Sequence, residues 1–386
     1  MPNRSTLSAL TVAADKHRRV SAITSGDDDK VALKRRPLAA LVLICNPSTP
    51  RLTATIPSGR LRGMCISATG SRLVTASAVV LGSLAASAIV PAQAQPSATA
   101  LEVAAYRAIG ARHPDPAVRN GDHLAERLLG PAERAILLAG GAEAVVKALD
   151  MNTDAAWASL GNRSVFARGV HIRTRHIDEV LGDSLTAGIE QIVVLGAGLD
   201  SRAYRFDALR RMRVFELDLP QTQEYKKRRV REVLGSLPGH VSYVPIDFTR
   251  QDLAAVLDGA GYDANKKALF IWEGVSMYIP EVAVDATLRA VTRKGASGSR
   301  IVFDYFLRSA LDSPASALRD VSTIVAKVGE PFLFGVAGED GKAFVTARGL
   351  RVLSDFGSAE LGKRYLPAGV AMPSPSANRI CTAVVP

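Results

Sequence analysis

Two glycines and one distant aspartate are the residues of this chain best suited to holding a nucleoside. The sequence QIVVLGAGLDSR occupies residues 191–202, and its apolar run 192–195 is typical of a buried parallel strand. Gly196 and Gly198 let the backbone turn tightly and expose amide N–H groups to a ligand. Asp218 ends a second apolar run, twenty residues after Gly198, where a carboxylate would accept hydrogen bonds from a ribose diol. The spacing predicts a nucleoside-containing cofactor at the carboxyl edge of a parallel sheet.

The glycine pattern departs from that of dinucleotide-binding proteins. Their fingerprint is G-x-G-x-x-G, whereas the series from Gly196 reads G-A-G-L-D-S, with Ser201 in place of the third glycine. A phosphate loop of the form G-x-x-x-x-G-K-[ST] is absent from the sequence. The spacing to Asp218 fits NAD and S-adenosylmethionine equally, so an NAD-dependent oxidoreductase stays open as an alternative on these residues alone.

Strand and helix patterns alternate on both sides of this stretch. Short apolar runs predict strands at 191–195, 213–217, 241–245, 268–272 and 300–305, with further strands at 350–353 and 379–385. Between them, helices are predicted at 202–211, 221–234, 250–258 and 281–294, and another helix at 309–328. The linking segments are long enough for crossover helices. We therefore expect an α/β fold: a Rossmann-like, doubly wound, mostly parallel sheet of seven strands.

An N-terminal helical cap is predicted in front of that core. Helical patterns cover 101–109, 123–138 with a break at Gly130-Pro131, 142–149 and 166–181. The predicted domain accordingly spans 97–386, with the cap at 97–185 and the core at 186–386.

Composition and charge exclude several classes of protein. The formal net charge is +11, but twelve Lys/Arg and four Asp fall within residues 1–100, which leaves the rest of the chain nearly neutral. A nucleic-acid partner is therefore not expected, and no N/D-P-P-Y/F run of a nucleic-acid methyltransferase occurs. Cys45, Cys65 and Cys381 form no close pair, so neither a metal site nor a disulfide is predicted.

Two segments precede the predicted domain. Residues 1–62 are basic and lack periodicity, and we expect them to be disordered. Residues 63–96 resemble a secretory signal peptide, since arginines precede the uncharged run 73–90 and Ala92-Gln93-Ala94 follows it. This run is too rich in Ala, Ser and Gly for a stable membrane span. The start could also be at Met64, and a non-catalytic exported binding protein is a second alternative.

Several stretches of the sequence have the residue pattern of one enzyme family. LGAGLDSRAYRF and FELDLPQTQEYK are the clearest, and FARGVHIRTRHIDEVL, IWEGVSMYIP and VFDYF accompany them. Together they resemble the leucine carboxyl methyltransferase-like family of class I S-adenosylmethionine-dependent methyltransferases, over most of the chain from about Ser97. The resemblance implies S-adenosylmethionine as the cofactor, methyl transfer as the activity, and a small-molecule or peptide acceptor. It says nothing of oligomeric state.

The resemblance also implies which residues contact the cofactor. They are Arg173, Gly196, Ala197, Gly198, Asp218, Asp247, Phe248 and Glu273. Arg173 matches the arginine that meets the methionine carboxylate, a task suited to a planar guanidinium; nearby Arg175 could be mistaken for it. The glycine loop matches the loop under the adenosyl and methionine portions, and Asp218 matches the ribose contact.

The remaining positions have roles that are less specific. Asp247 and Phe248 match the surroundings of the adenine, although Asp247 could also cap a helix that begins near Thr249. Glu273 ends an apolar strand, where a carboxylate is costly unless paired, and it matches a position facing the methionine part and the sulfonium. Met277 and Tyr278 are weaker candidates for the acceptor pocket, since both could belong to the core.

The expected reaction is methylation of oxygen. A carboxylate acceptor is already ionised at pH 7 and needs no general base, in keeping with a sequence that shows no set of catalytic acids and bases. A hydroxyl acceptor would need a base, for which His171, His176 and Glu273 are the candidates. We therefore predict O-methylation, preferably of a carboxyl group. Because S-adenosylmethionine is a cytosolic metabolite, we expect a cytoplasmic location, with export or tethering as the alternative.

Overall fold

The chain divides into two compact units, Met1–Val90 and Pro91–Pro386. The computed structural model describes residues 10–12, 41–45, 52–55 and 97–386, apart from 314, 315, 317, 328 and 375. In the first unit, β1 (Leu10–Val12), β2 (Leu41–Cys45) and β3 (Leu52–Thr55) form an antiparallel sheet in that order. These strands lie within the stretch for which we expected disorder. The rest of that stretch and the signal-like segment 63–96 lie outside the described residues, so those expectations stay predictions.

Six helices open the second unit. They are α1 (Ala98–Ala111), α2 (Ala125–Leu128), α3 (Pro131–Ala139), α4 (Glu143–Ala148), α5 (Thr153–Ser159) and α6 (Arg163–Thr186). Ser97 caps α1 by accepting a hydrogen bond from the Ala100 amide at 3.1 Å. Pro131 begins α3, as the break at Gly130-Pro131 indicated. No helix in the described part of the chain is long and apolar enough to cross a membrane.

Seven strands follow and form one sheet. They are β4 (Gln191–Leu195), β5 (Arg213–Asp218), β6 (Val241–Pro245), β7 (Ala268–Trp272), β8 (Arg300–Phe306), β9 (Arg351–Gly357) and β10 (Asn378–Val384). Their order is β6-β5-β4-β7-β8-β10-β9. The strands from β6 to β8 are parallel, whereas β10 runs antiparallel to β8 and β9. The predicted mostly parallel, seven-stranded sheet is confirmed.

Eight helices alternate with these strands. They are α7 (Arg202–Arg205), α8 (Pro220–Leu234), α9 (Leu253–Gly259), α10 (Glu281–Lys294), α11 (Arg308–Asp312), α12 (Leu318–Lys327), α13 (Lys342–Thr346) and α14 (Ser358–Tyr365). Three predicted helices need correction. The first, 202–211, is α7 followed by a 3-10 turn at Asp207–Arg211, and 309–328 is divided into α11 and α12. The helix predicted from 250 begins only at Leu253, because the Asp252 carboxylate caps it by accepting from the Ala255 amide at 2.9 Å.

The central strand β4 shows how the sheet is buried on both faces. Ile192 and Val194 point into one apolar core, and Val193 and Leu195 into the other, because successive side chains of a strand alternate. The chain leaves β4 toward β5 on one side, and β7 continues to β8 on the other side. Ligands of doubly wound sheets bind in the crevice at such a reversal, outside the carboxyl ends of the strands. The fold therefore predicts a ligand site at the residues that follow Leu195 and Trp272.

Candidate active site

A cavity of about 620 Å³ lies beyond the carboxyl ends of β4, β5, β6 and β7. Cavities of this size are typical of small-molecule and cofactor sites. The structure brings all ten sequence-predicted positions to its wall: Arg173, Gly196, Ala197, Gly198, Asp218, Asp247, Phe248, Glu273, Met277 and Tyr278. Which part of a ligand each residue contacts stays a prediction. We call this space the first cavity.

The two glycines of the loop have conformations that other residues rarely adopt. Gly196 has φ +68°, and a Cβ added there would lie 2.2 Å from the Val275 Cγ2 atom. Gly198 has φ +38°, and its amide donates to the Asp218 Oδ2 atom at 2.6 Å. The other oxygen of Asp218 accepts from the Leu219 amide at 2.7 Å. The loop and the carboxylate therefore hold each other in place at the ends of β4 and β5.

Burial raises the pKa of Asp218, although the amides of Gly198 and Leu219 oppose that shift. Each carboxylate oxygen can accept more than one hydrogen bond. Asp218 can therefore keep both backbone contacts and still accept hydroxyl donors from a ligand in the first cavity.

Two buried cations support the loop from behind. The Lys226 ammonium donates to the Ala197 carbonyl at 3.2 Å and forms an ion pair with Glu216 at 2.8 Å. The Arg107 guanidinium donates to the Leu199 carbonyl at 2.7 Å. Sequence reasoning missed both cations. Because these contacts satisfy loop carbonyls, they fix the loop before any ligand arrives.

A row of alternating charges lies at the first cavity, with Arg173, Glu273 and Asp200 in the cavity wall and the buried Asp304 and Arg202 paired to them. Arg173 donates from Nη1 to the Asp304 Oδ2 atom at 2.6 Å and from Nε to the Glu273 Oε1 atom at 2.9 Å. The second Glu273 oxygen accepts from Arg202 Nη1 at 2.7 Å, and Arg202 also meets Asp200 Oδ2 at 2.5 Å. We call Asp304, Arg173, Glu273, Arg202 and Asp200 the charged row. Its three carboxylates and two guanidinium groups leave one negative charge in excess.

Glu273, Asp200 and Arg173 have pKa values that keep them ionised at neutral pH. Burial alone would raise the pKa of Glu273, but Arg202 and Arg173 outweigh it and lower that pKa to about 2. Burial likewise opposes ionisation of Asp200, and Arg202 nevertheless holds the pKa of that carboxyl below its usual range. Burial would lower the pKa of Arg173, which Asp304 and Glu273 instead raise. Each charge is therefore kept by its neighbours, as burial in a protein requires.

Arg202 and Asp304 are members of this row that the sequence analysis did not single out. Arg202 is 1% exposed and Asp304 0% exposed. Besides Arg173, Asp304 accepts from the Gly274 amide at 2.6 Å. The sequence did contain a sign of Asp304, because it is a charged residue inside the apolar stretch VFDYF. A carboxylate in such a stretch needs a partner once the strand is buried. Applied to Glu273, the same argument had found a site residue.

Asp247 lies at the rim of the first cavity beside Phe248. Its Oδ1 atom accepts from the Thr249 amide at 2.9 Å and from the Thr249 hydroxyl at 2.6 Å, and these bonds lower its pKa. The side chain is 32% exposed. The alternative that Asp247 caps a helix from Thr249 is wrong, because α9 begins later and Asp252 caps it. Asp247 therefore closes a local turn, and its second oxygen forms an ion pair with Arg250 Nε at 3.5 Å.

Helix α1 and the segment after α12 cover the first cavity. Ser97, Thr99 and Ala100 line it from α1, and the Thr99 hydroxyl donates to the Glu330 carboxylate. The carbonyl of Met277 accepts from the Leu333 amide at 2.7 Å. A ligand beneath these contacts would be shielded from water.

The two candidates for the acceptor pocket differ in burial. Met277 is 2% exposed and packs with Phe306 and Leu318. Tyr278 is half-buried, and burial together with Glu330 raises the pKa of its hydroxyl. Met277 is therefore mainly a core residue, whereas Tyr278 can present its hydroxyl to a ligand.

The two histidines considered as bases lie elsewhere. His171 and His176 are 0% and 4% exposed on α6. Burial lowers the pKa of each to about 4. The described residues that line the first cavity include no histidine. Neither side chain can therefore accept a proton from a ligand bound in the first cavity.

Comparison with known proteins identifies a family. The model of the leucine carboxyl methyltransferase family matches residues 100–292, which is half of the chain. A relative from Mycobacterium avium (strain 104) is 32% identical over 270 residues, which cover 67% of this chain and 80% of the relative. One from Mycolicibacterium vanbaalenii is 37% identical over 212 residues, or 54% of this chain and 66% of the relative, slightly under two thirds of its length. Both are named "Putative S-adenosyl-L-methionine-dependent methyltransferase".

A solved structure resembles the chain more remotely. It is a duf574 family protein from Streptomyces avermitilis, 15% identical, with a TM-score of 0.42, covering 68% of this chain and 95% of that protein. At this identity and TM-score, no statement about function rests on the likeness.

Proposed function

This chain belongs to the leucine carboxyl methyltransferase family, and we propose that it transfers a methyl group from S-adenosylmethionine to a carboxylate oxygen of its acceptor. One observation carries the proposal: three members of the charged row, Arg173, Glu273 and Asp200, line the same cavity as the glycine loop and Asp218, at the carboxyl edge of the sheet. That arrangement offers hydroxyl acceptors at one end and fixed charges at the other, as a nucleoside joined to an amino acid would need.

The residues present fit the cofactor. Asp218 would hold the ribose, and Asp247 with Phe248 would border the adenine. Arg173 would meet the methionine carboxylate from the cavity wall, and Gly274 leaves room for its guanidinium, since a Cβ added there would lie 3.2 Å from the Nη2 atom. Gly196 lets the loop turn at φ +68° against Val275, where a larger residue would collide. When bound, S-adenosylmethionine supplies an electrophilic methyl group on a positively charged sulfur, and the excess negative charge of the row complements that cation.

The chain's own part in the reaction is alignment. A lone pair of the acceptor carboxylate oxygen would form the bond to the methyl carbon while the sulfur–methyl bond breaks. The electron pair of the broken bond would stay on sulfur. The products are a methyl ester and S-adenosylhomocysteine, and no proton is transferred. Holding two reactants in line and excluding water can lower a barrier by about 7–11 kcal/mol in favourable cases. Helix α1 and the segment around Glu330 would provide that exclusion here.

A carboxylate acceptor suits this site better than a hydroxyl acceptor. A hydroxyl would need a group that takes its proton. Glu273 is a weak base, because two arginines hold its pKa at about 2, and both histidines are buried away from the first cavity. A carboxylate needs no such group. The geometry therefore favours ester formation.

The earlier alternatives lose support. Ser201, which replaces the third glycine of a dinucleotide fingerprint, is 1% exposed, and its hydroxyl donates to Asp122 Oδ1 at 2.5 Å. It anchors the loop to the helical cap, which a glycine could not do. Against a non-catalytic exported protein, we propose a cytoplasmic location, where the methyl donor is made. N-terminal sequencing of the protein from its native host checks this: a mature chain that begins after residue 94 would contradict it.

Methyl-labelled S-adenosylmethionine tests the reaction itself. We would incubate the full chain with the labelled donor and a panel of small carboxylic acids, and then treat the products with mild base. Methyl esters release the label as volatile methanol, whereas ethers and N-methyl products keep it. Base-labile label is expected. Base-stable label in every product would refute the carboxyl acceptor while leaving methyl transfer intact.

A further inference from the structure

A second cavity, of about 810 Å³, shares three lining residues with the first cavity: Phe166, Arg173 and Phe306. We propose that this second cavity binds the methyl acceptor, and that the acceptor is a small-molecule carboxylic acid with an apolar body. The proposal rests on the proposed function, because it places the acceptor next to the cofactor. The shared residues mark where the reacting carboxylate would meet the methyl group.

One face of α6 connects the two spaces. Phe166, Gly169 and Arg173 line the second cavity at intervals of three and four residues, which places them on the same side of a helix. The stripe ends at Arg173, the member of the charged row that both cavities share. An acceptor lying along this stripe would therefore have one end at the wall of the first cavity.

The wall of the second cavity combines an apolar surface with polar groups. Six serines, two asparagines and Glu339 line it besides the two arginines, and its apolar members are Val165, Phe166, Val170, Phe306, Leu307, Ala310, Leu318, Val321, Met372, Pro373 and Ala377. A purely charged ligand would leave the apolar part of this wall exposed to water, whereas a ligand with an apolar body of matching size would cover it. The volume is within the range that encloses a small molecule.

Directed hydrogen-bond donors also line the second cavity. The Ser376 hydroxyl accepts from the Ala359 amide at 2.8 Å, so its own proton is available to a ligand. Arg379 is oriented by two hydrogen bonds to Asp355. Its Nε atom donates to the Oδ1 atom at 3.1 Å, and its Nη2 atom donates to the backbone carbonyl at 2.8 Å. Such groups recognise oxygen atoms. The combination of apolar wall and oriented donors points to an amphipathic acid.

Gly169 allows the second cavity to be filled without touching the first. A Cβ added there would meet only the Met372 Cε atom within 4 Å, at 3.8 Å. Gly182 lies on the same helix, is exposed, and has nothing within 4 Å of an added Cβ. Gly169→Phe therefore places a ring in the second cavity, and Gly182→Phe is its matched control in solvent.

The test measures binding, so that it does not depend on turnover. The probe is 8-anilinonaphthalene-1-sulfonate, an apolar body with one anionic group, titrated against the full chain in the presence of S-adenosylhomocysteine. We expect one site, displacement by dodecanoate, at least tenfold weaker binding in Gly169→Phe, a smaller loss in Gly169→Leu, and no change in Gly182→Phe. Calorimetry should give the same S-adenosylhomocysteine affinity for every variant, which shows that the variants are folded.

Three results would overturn the proposal. Gly169→Phe could bind the probe as the unmodified chain does, or the probe could bind only when S-adenosylhomocysteine is left out, which would place it in the first cavity. Alternatively, dodecanoate could fail while a hexapeptide with a free carboxyl terminus displaces the probe, which would make the acceptor a polypeptide. A chain that binds no S-adenosylhomocysteine would instead contradict the proposed function, and the probe titration would still decide the second cavity by itself.

Discussion

Replacing Arg173 by glutamine should lower two quantities that can be measured separately, the stability of the fold and the affinity for S-adenosylhomocysteine. The change leaves Asp304, which is 0% exposed, with the Gly274 amide but without its cation, while Glu273 keeps Arg202. Removing one partner of a buried ion pair costs about 3–5 kcal/mol, or roughly 10 °C in Tm for a domain of this size. Loss of a hydrogen bond between charged groups, at about 1.5–3 kcal/mol, should also weaken S-adenosylhomocysteine about 10- to 100-fold.

A second substitution separates the two effects. In Arg173→Gln combined with Asp304→Asn, the stranded charge is gone, so urea unfolding should regain at least half of the lost stability. Calorimetry should show that the affinity for S-adenosylhomocysteine stays low. Arg175→Gln on the same helix is the matched control, because Arg175 lines neither cavity, and it should bind S-adenosylhomocysteine normally. A double variant with full affinity would refute the ligand role of Arg173, and a single variant of unchanged stability would refute the buried charged row.

Three further predictions concern the loop, the ribose carboxylate and pH. Asp218→Asn turns a side-chain amide NH2 group, a donor, toward one of the two backbone N–H groups that donate to the carboxylate. It should weaken the binding of S-adenosylhomocysteine about 10- to 100-fold in calorimetry. Gly196→Ala forces a Cβ against Val275 at φ +68°, and should lower the unfolding free energy by more than the roughly 1–2 kcal/mol of the backbone conformation alone. Because His171 and His176 have a pKa of about 4 when folded and 6.5 when free, stability should be complete above pH 6.5. It should fall toward pH 4, by up to about 1.4 kcal/mol per pH unit for each histidine.

Each of these has a control. Asp247→Asn, at the exposed rim, should weaken S-adenosylhomocysteine far less than Asp218→Asn, and equal losses would contradict the assignment of the ribose end. Gly188→Ala has φ +82° and nothing within 4 Å of its Cβ, so it reports the conformational cost without the clash. Urea midpoints that do not change between pH 6.5 and 4.5 would show that the two histidines are not buried in their neutral form.

The strands of the core were predictable because their signal is local. β4 and β7 begin and end where they were predicted, since strands buried on both faces are apolar almost throughout. The partly exposed edge strand β6 also has its predicted bounds. Helix ends were less predictable, because they depend on which side chain caps them. The start of α9 at Asp252 is the example, and α5, which no pattern had indicated, is another.

The site was predictable where a residue type is unusual for its position. Gly196, Gly198, Asp218 and Glu273 all lie where a strand ends at the same edge of the sheet. Arg202 was missed because an arginine next to a turn is ordinary on a surface, and only the tertiary fold buries it. The second cavity was also missed, since it is formed by residues far apart in the chain, from α6 to β10, whose contact no local pattern encodes.

The most direct test of the whole account is a calorimetric titration of the full chain with S-adenosylhomocysteine and, separately, with NADH. The structure predicts one S-adenosylhomocysteine site per chain, weakened by Asp218→Asn and by Arg173→Gln/Asp304→Asn but not by Arg175→Gln, and no binding of NADH. Binding of NADH, or S-adenosylhomocysteine binding that none of these substitutions changes, would contradict the claim that the first cavity is the cofactor site.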